Sequence, residues 1–228
     1  WESSGLAGHS LGHYLSACSM AYAATGNQEF LERVNYMVDQ LSICQKARGT
    51  GYVGAIPDED TLIAQVSRGI IKSGGFDLNG GWSPWYTVHK IMAGLLDAYI
   101  YCDNRTALKV DVGMADWTGN IVKNLNHQQM QQMLECEYGG MNEELANIYA
   151  ATGNRKYLDL AYRFFDDRFL GALAKREEVI AGKHANTEIP KILGCARIYE
   201  LTGDTSMNTI ADFFWHRVID NFTYAPGG

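Results

Sequence analysis

Residues 22–27 read YAATGN, and the same six letters return at residues 149–154. A third version, YELTGD, stands at residues 199–204, and a more divergent one, YIYCDN, at residues 99–104. The versions that begin at residues 99, 149 and 199 follow one another at intervals of 50 residues. A period of this length is typical of a repeated supersecondary unit that must stack on its neighbours to bury its apolar face.

The phrase predicts a tight turn between two helices. Apolar side chains at helical spacing run up to the tyrosine in each copy and resume after the asparagine or aspartate. Glycine is favoured where a helix ends in the left-handed conformation, because a Cβ is strained there. Asparagine or aspartate directly after it is a preferred N-cap for the next helix. Each unit is therefore predicted to be a helix, a glycine turn and a second helix.

The two helices of each unit differ in pattern. The helix before the turn is apolar nearly all round, as in IMAGLLDAYIY at residues 91–101, which is typical of a helix buried on both sides. The helix after the turn keeps its charges on one face. We therefore predict an all-α fold, an (α/α) barrel in which hairpins form a toroid, with Gly94 and Gly194 letting inner helices approach closely. A plain helical solenoid would contain the same hairpins.

The number of repeats predicts an incomplete barrel. The sequence contains four hairpins, whereas a closed barrel of this kind needs about six. The chain starts at Trp1 without a leader and stops at a Pro-Gly-Gly turn. We therefore expect residues 1–228 to be the N-terminal part of a single larger (α/α)6-type domain whose C-terminal remainder is absent, and no cellular compartment is predicted.

Composition and charge exclude several classes of function. The 228 residues carry a net charge of -7 that is spread along the chain, which argues against nucleic acid as a partner. No apolar run is long enough to span a membrane. The five cysteines are far apart and form no Cys-x-x-Cys pair, so we expect free, buried thiols rather than disulfides.

Candidate functional residues stand just before the inner helices, in segments that would line one mouth of such a barrel. A Gly-rich, aromatic stretch at residues 45–87 precedes the second inner helix and is predicted to be a functional loop. Four segments supply His, Asn, Glu and aromatic side chains to equivalent places. The candidate binding residues are His13, Trp82, Trp85, Tyr86, His89, Glu137, Asn142, Glu143, His184 and Asn186.

This mixture of side chains predicts a site for a neutral sugar. Aromatic faces pack on the apolar face of a sugar ring, while Asn, His and Glu hydrogen-bond its hydroxyls. Phosphate would favour Arg or Lys, which are few in these segments. His9 and His13 have a spacing compatible with a metal, but no carboxylate or thiol stands near them, so no metal site is predicted in the chain. His89 has a second interpretation as a satisfied core histidine.

The chain resembles the beta-L-arabinofuranosidase family, glycoside hydrolase family 127 and its close relatives, in four motifs: GHYLSA, GWSPWYTVHKIMAGLLDAY, YGGMNEELANIYAATGN and GKHANTEIPK. The resemblance covers essentially all of the chain. It implies an (α/α)6 catalytic barrel followed by β-sandwich domains, and an enzyme that releases L-arabinofuranose from plant glycans and glycoproteins with retention of configuration. It also implies that His89 and His184 match histidines that contact the sugar, and that Asn142 or Glu143 replaces a further histidine.

The resemblance implies that the catalytic groups lie beyond residue 228. The family's acid/base glutamate follows a Gly-Gly turn like Gly227-Gly228. Its nucleophile is a cysteine held on zinc by other cysteines and a glutamate, all later in the chain. No catalytic residue and no cofactor is therefore assigned within residues 1–228, zinc is expected in a longer parent protein, and Cys136 stands in the wrong repeat to be the nucleophile.

Two alternatives remain open. The first is a different sugar enzyme on an (α/α) barrel, either another glycosidase or an epimerase. The second is a helical-repeat scaffold that binds a peptide.

Overall fold

A computed structural model describes residue 3 and residues 5–224, and the prediction of an all-α fold is confirmed. Within the described residues the helices are α1 (His9–Thr25), α2 (Gln28–Arg48), α3 (Glu59–Ser67), α4 (Pro84–Cys102), α5 (Arg105–Val122), α6 (His127–Met133), α7 (Met141–Thr152), α8 (Arg155–Arg163), α9 (Leu170–Ala174), α10 (Ala185–Thr202) and α11 (Thr205–Asn221). The strands are β1 (Ser73–Gly74), β2 (Asp77–Leu78) and β3 (Gly81–Trp82).

The chain divides into two compact units, residues 1–138 and residues 139–228, which we describe separately. That residues 1–228 form part of a single domain stays a prediction. Trp1, Gly227 and Gly228, on which the sequence-based expectation about the chain ends depends, lie outside the described residues. No helix in the part of the chain that the structure describes is long and apolar enough to cross a membrane.

Four helical hairpins stand where the repeated phrase predicts them: α1 with α2, α4 with α5, α7 with α8, and α10 with α11. In three of them a glycine ends the first helix in the left-handed conformation, with φ of 68°, 70° and 73° at Gly26, Gly153 and Gly203. Each glycine N–H donates to the carbonyl of the tyrosine of the phrase at 2.8 Å. The turn chemistry predicted from the sequence is therefore confirmed.

The threonine of the phrase has a role that the sequence did not reveal. Its hydroxyl donates at 2.7 Å to the carbonyl four residues earlier in Thr25, Thr152 and Thr202. The same oxygen accepts, at 3.1 to 3.3 Å, the N–H of the residue that follows the glycine. The side chain of that residue then caps the next helix at 3.0 to 3.2 Å, as Asn27, Asn154 and Asp204. The turn thus satisfies its own exposed backbone groups.

The divergent copy builds the same turn without glycine. Asp103 takes the left-handed position at φ 50°, which Asn and Asp tolerate better than other residues with a Cβ. Asn104 caps α5 by accepting the N–H of Ala107 at 3.0 Å.

In the first unit, α1 and α4 touch backbone to backbone. A Cβ built on Gly94 would lie 2.6 Å from the carbonyl oxygen of Gly12, and one built on Gly12 would overlap the carbonyl of Lys90. α2 packs on α1, α5 packs on α4, and α2 also packs on α5, so the two hairpins form two layers. The predicted close approach at Gly94 is confirmed.

The stretch between α2 and α4 holds more structure than the loop predicted from its glycines. It contains α3 and a three-stranded antiparallel sheet in the order β1-β2-β3, with Gly74 opposite Asp77 and Leu78 opposite Gly81. Each strand has two residues, which is too short for an alternating pattern to appear. The segment is tied to residues before α7, because the N–H of Glu137 donates to the carbonyl of Gly75 at 2.9 Å.

In the second unit, α7 packs on α10, with α8 on α7 and α11 on α10. Here Gly194 makes room for a side chain, since a Cβ at this position would overlap the carboxamide of Asn142. Burial on all sides, predicted for every inner helix, holds for most of α4. It does not hold for α10, which leaves Ile189 and Leu193 exposed in the described residues.

The five cysteines are free, as predicted. Burial is more limited than predicted, because Cys44 is exposed and Cys102 is half-buried, while Cys18, Cys136 and Cys195 are buried.

Candidate functional site

His89 lies in the first turns of α4 and has the most unusual surroundings of the predicted residues. Only 6% of its surface is exposed. Its Nδ1 atom is buried and has no hydrogen-bond partner among the described residues. A buried polar atom without a partner costs about 1–3 kcal/mol, so each case calls for an explanation. The interpretation of His89 as a satisfied core histidine does not fit this atom.

His89 is an uncharged imidazole over the ordinary pH range. Its pKa is lowered to about 3, mainly by burial and then by the positive charges of Lys90 and His13. In a neutral imidazole one ring nitrogen donates and the other accepts. The ring can therefore exchange hydrogen bonds with an uncharged hydroxyl group in either direction.

Two histidines of α1 lie beside the start of α4. The ring centroids of His9 and His13 are 5.9 Å apart in an edge-to-face arrangement, and His9 lies 6.1 Å from the ring of Tyr86. The Nζ atom of Lys90 is 5.2 Å from the centroid of the Tyr86 ring. His13 is exposed on much of its surface, and its pKa is lowered by its partial burial and then by Lys90 and His9. The first unit thus brings His13 and Tyr86 close to the helix turn that carries His89.

The predicted aromatic wall is divided between separate places. Trp85 is 1% exposed and packs on Trp117 with 5.7 Å between the ring centroids. Because it has no free face, we assign Trp85 to the core rather than to a binding surface. Trp82 ends β3 with 43% of its surface exposed. The ring of Tyr86 lies beside His9 of α1.

Glu137 is a buried carboxylate that accepts a hydrogen bond from the residue just before α4. It is 6% exposed, and its Oε2 accepts the hydroxyl of Ser83 at 3.4 Å. Ser83 is fully buried and precedes α4 in the left-handed conformation, at φ 41°. We therefore interpret Glu137 as a residue that positions α4, and not as a direct sugar ligand.

Cys136, next to Glu137, is a buried thiol. Its pKa is raised to about 12, mainly by burial and then by the negative charges of Glu137 and Asp77. A thiol with such a pKa carries no thiolate at neutral pH.

In the second unit the predicted residues stand at the starts of α7 and α10. Asn142 is buried in the first turn of α7, and its Nδ2 donates to the carbonyl of Lys191 at 2.9 Å. Glu143, in the same turn, is half-buried. His184 is the N-cap residue of α10, although its side chain does not cap the helix, and His184 and Asn186 are both exposed.

Sequence reasoning missed a buried group of charges in the second unit. Lys191 is 3% exposed, and its Nζ lies 3.1 Å from Asp166 Oδ2 and 2.9 Å from Glu188 Oε2. Asp166 also accepts the backbone N–H of Arg168 at 3.0 Å. The available signal was a lysine inside the apolar stretch IPKILG, because a lysine on a buried helix needs an anionic partner.

A second missed feature is a cavity of about 430 Å³ in the first unit. It lies between α3 and the turn that joins β2 to β3, and its lining includes Asp58, Thr61, Gln65, Asn79 and Trp82. Of these, only Trp82 belongs to the site predicted from the sequence.

The described residues do not form the zinc site that the resemblance implies for a longer parent protein. Within residues 3 and 5–224 there is no group of three or more His, Cys, Asp or Glu side chains that could hold a metal ion.

Comparison with protein families places the chain among carbohydrate-active enzymes. The family model described as Beta-L-arabinofuranosidase, GH127 catalytic domain, matches residues 1–228. Catalytic domains of this family are (α/α) barrels, which is the fold class predicted from the repeats. The match supports a glycoside hydrolase of the beta-L-arabinofuranosidase kind with a carbohydrate substrate. No curated protein matches the chain closely enough to count as a relative.

Proposed function

The chain belongs to the family of GH127 beta-L-arabinofuranosidase catalytic domains, and from this premise we propose that it supplies sugar-binding residues of a retaining glycoside hydrolase. Its substrate is an L-arabinofuranosyl glycan or glycoconjugate, and its role is in the degradation of plant polysaccharides. The proposed sugar ligands are His89, His13, Tyr86, Asn142, Glu143, His184 and Asn186.

The unpartnered Nδ1 of His89 carries the proposal. The atom is buried and lacks a hydrogen bond among the described residues. A sugar hydroxyl that reached it would remove a cost of about 1–3 kcal/mol, which is a source of binding free energy. The neutral state of the ring suits an uncharged ligand, because no charge has to be desolvated when the sugar enters.

Residues at the starts of α7 and α10 supply further hydrogen-bonding groups. The Nδ2 of Asn142 is occupied by the carbonyl of Lys191, while its Oδ1 has no partner among the described residues. That oxygen is thus suited to accept a sugar hydroxyl. Glu143, His184 and Asn186 are more accessible and suit the rim of a binding surface.

We further propose that residues 1–228 by themselves bind the sugar without cleaving it. Cys136 is a protonated thiol because its pKa is raised to about 12, and Glu137 is engaged by Ser83. Neither residue is suited to be the nucleophile or the proton donor that retaining hydrolysis needs.

The test measures binding and cleavage separately. Calorimetric titration with methyl β-L-arabinofuranoside should show binding, which the substitution His89→Ala weakens about tenfold, the equivalent of one lost hydrogen bond. His216→Ala is the matched control, because His216 is an exposed histidine of α11. Binding by His89→Ala equal to that of the wild type would refute the role of His89.

Incubation with p-nitrophenyl β-L-arabinofuranoside should release no p-nitrophenol. Measurable release by residues 1–228 would show that a described residue performs catalysis. If His89→Ala then abolished that release outright, the alternative of a different (α/α)-barrel sugar enzyme would be favoured.

A further inference from the structure

The cavity beside Trp82 is large enough for a small ligand and is formed within one unit. Its volume of about 430 Å³ falls in the range of small-molecule sites. The described residues that line it belong to α3, to the residues just before α3, to Gly5, to the β2–β3 turn and to β3. None of the histidines His9, His13 and His89 lines it.

Trp82 provides the cavity with a firmly held aromatic surface. Residue 82 pairs with Asp77 in the small sheet, which fixes its backbone. The base of its side chain is packed against Gly5, where a Cβ would lie 2.6 Å from the Cβ of Trp82. Trp82 nevertheless keeps 43% of its surface exposed. An exposed indole on a fixed backbone is suited to stacking on the apolar face of a sugar ring.

The facing wall is a polar stripe of α3. Asp58, Thr61 and Gln65 are spaced so that they share one face of the helix, and they offer a carboxylate, a hydroxyl and a carboxamide to the cavity. Asp58 occupies the N-cap position of α3 but does not cap the helix with its side chain. These groups can accept from and donate to sugar hydroxyls.

The turn beside Trp82 is braced without any ligand. The side chain of Asn79 accepts the N–H of Lys72 at 2.6 Å and donates to the carbonyl of Ile70 at 2.8 Å. Asn79 and Gly80 both hold left-handed conformations, at φ 51° and 86°. A wall that is ordered before binding loses little conformational entropy when a ligand enters.

From these observations we propose that the cavity is a second carbohydrate subsite, which binds a neutral sugar unit stacked on Trp82. None of the described residues that line it is basic, and Asp58 carries a carboxylate, so uronic acids and sugar phosphates are disfavoured. The proposal rests on the proposed function, because the unit bound here belongs to the same glycan whose arabinofuranose contacts His89.

The test follows ring signals by NMR while a neutral arabinofuranosyl trisaccharide is added. The five indole N–H signals are assigned by single Trp→Phe substitutions, and the imidazole signal of His89 by His89→Gln. The Trp82 and His89 signals should both shift, while the signal of Trp215, an exposed indole on α11, should stay in place. A trigalacturonic acid at the same concentration should leave the Trp82 signal unchanged.

The outcomes separate the two proposals. A shift of His89 without Trp82 would overturn the second subsite and leave the proposed function standing. A shift of Trp82 without His89 would support a carbohydrate site in the cavity and refute the sugar contact of His89. An equal shift of Trp82 with the uronic acid would overturn the preference for a neutral sugar, and no shift at either residue would overturn both proposals.

Substitution supplies a second measurement. Trp82→Ala should weaken calorimetric binding of the trisaccharide about tenfold and leave binding of the methyl arabinofuranoside unchanged. Trp215→Ala is the matched control and should change neither. Unchanged trisaccharide binding by folded Trp82→Ala would contradict the subsite.

Discussion

The inner helix pairs of the two units use glycine for different purposes. In the first unit, Gly12 and Gly94 let α1 and α4 meet backbone to backbone. In the second, Gly194 opens a space on α10 that the carboxamide of Asn142 fills. The candidate ligand His89 sits next to the first contact without forming it, whereas Asn142 is both packing partner and candidate ligand. The same repeated hairpin can therefore keep packing and recognition apart, or place them in a single side chain.

Charge sharpens the comparison. The second unit buries Lys191 with the carboxylates of Asp166 and Glu188. At the start of α4 the first unit keeps its buried histidine neutral instead, with a pKa near 3. The Lys191 cluster balances a buried charge, whereas the His89 ring avoids carrying one.

The largest expected effect comes from removing the buried cation. Lys191→Met removes the buried cation that pairs with both Asp166 and Glu188, and should reduce the free energy of unfolding by about 3–5 kcal/mol. Urea denaturation measures this change. Arg155→Met removes the exposed cation of the Arg155–Asp159 pair and should leave the unfolding midpoint unchanged. Equal effects of the two substitutions would show that burial is not what makes the Lys191 cluster matter.

The next largest effect is a difference in stability loss between substitutions at Gly12 and at Gly194. Gly12→Ala forces a Cβ into the backbone of α4, which cannot move aside, and should cost about 3 kcal/mol. Gly194→Ala meets the end of a side chain that can rotate away, and should cost about 1–2 kcal/mol through the lost hydrogen bond of Asn142.

The control for both is Gly171→Ala in α9, where a Cβ would have ordinary contacts no closer than 3.7 Å. It should not destabilise the protein in urea denaturation. A larger loss for Gly194→Ala than for Gly12→Ala would break the distinction between the two helix pairs.

The third effect is a dependence of stability on pH. The unfolded chain protonates His89 as the pH falls through about 6.5, while the folded chain does so only near pH 3. In this window the unfolded state binds more protons, so stability falls as the pH falls, by up to about 1.4 kcal/mol per pH unit.

His89→Gln removes one proton-binding group of the unfolded state. The slope of unfolding free energy against pH should therefore become flatter in urea denaturation between pH 6.5 and 4.5, by the contribution of about one proton. At pH 8 the His89 ring of the wild type is neutral in both the folded and the unfolded state. Small changes in pH around this value should therefore not alter the stability of the wild type through His89. Identical slopes for variant and wild type would mean that His89 takes up its proton in the folded state as well.

The smallest expected effect is an energetic coupling between Asn142 and Gly194, the two residues that meet between α7 and α10. Asn142→Ala removes the side chain that Gly194→Ala would displace, so the double variant should be more stable than the sum of the single changes implies. The expected coupling is about 1 kcal/mol, measured in a double-mutant cycle. Gly12→Ala combined with Asn142→Ala provides the control and should be additive.

Local chemistry explains what the sequence could predict. The glycine, the asparagine cap and the apolar run of each turn act within a few residues, so the four hairpins follow from the sequence pattern, as does the close approach at Gly94. The threonine hydrogen bonds are equally local, and their recurrence at residues 25, 152 and 202 was available as a signal.

Exposure depends on distant parts of the chain, and there the sequence was a weaker guide. His89 and His184 occupy similar places in their repeats, yet one is buried and the other exposed. Trp82 and Trp85 are three residues apart, and packing on Trp117 hides only the second. The partner of Lys191, Asp166, is 25 residues away and gave no local sign.

The self-contained turns have a consequence for protein engineering. Each YxxTGN-type turn satisfies its own backbone groups, so it gives a hairpin one end that needs nothing from the rest of the molecule. The connections at the other end, such as residues 49–83 between α2 and α4, are where α3, the small sheet and Trp82 stand. A library that exchanges those connections while leaving every turn intact would vary ligand preference on an unaltered set of hairpins.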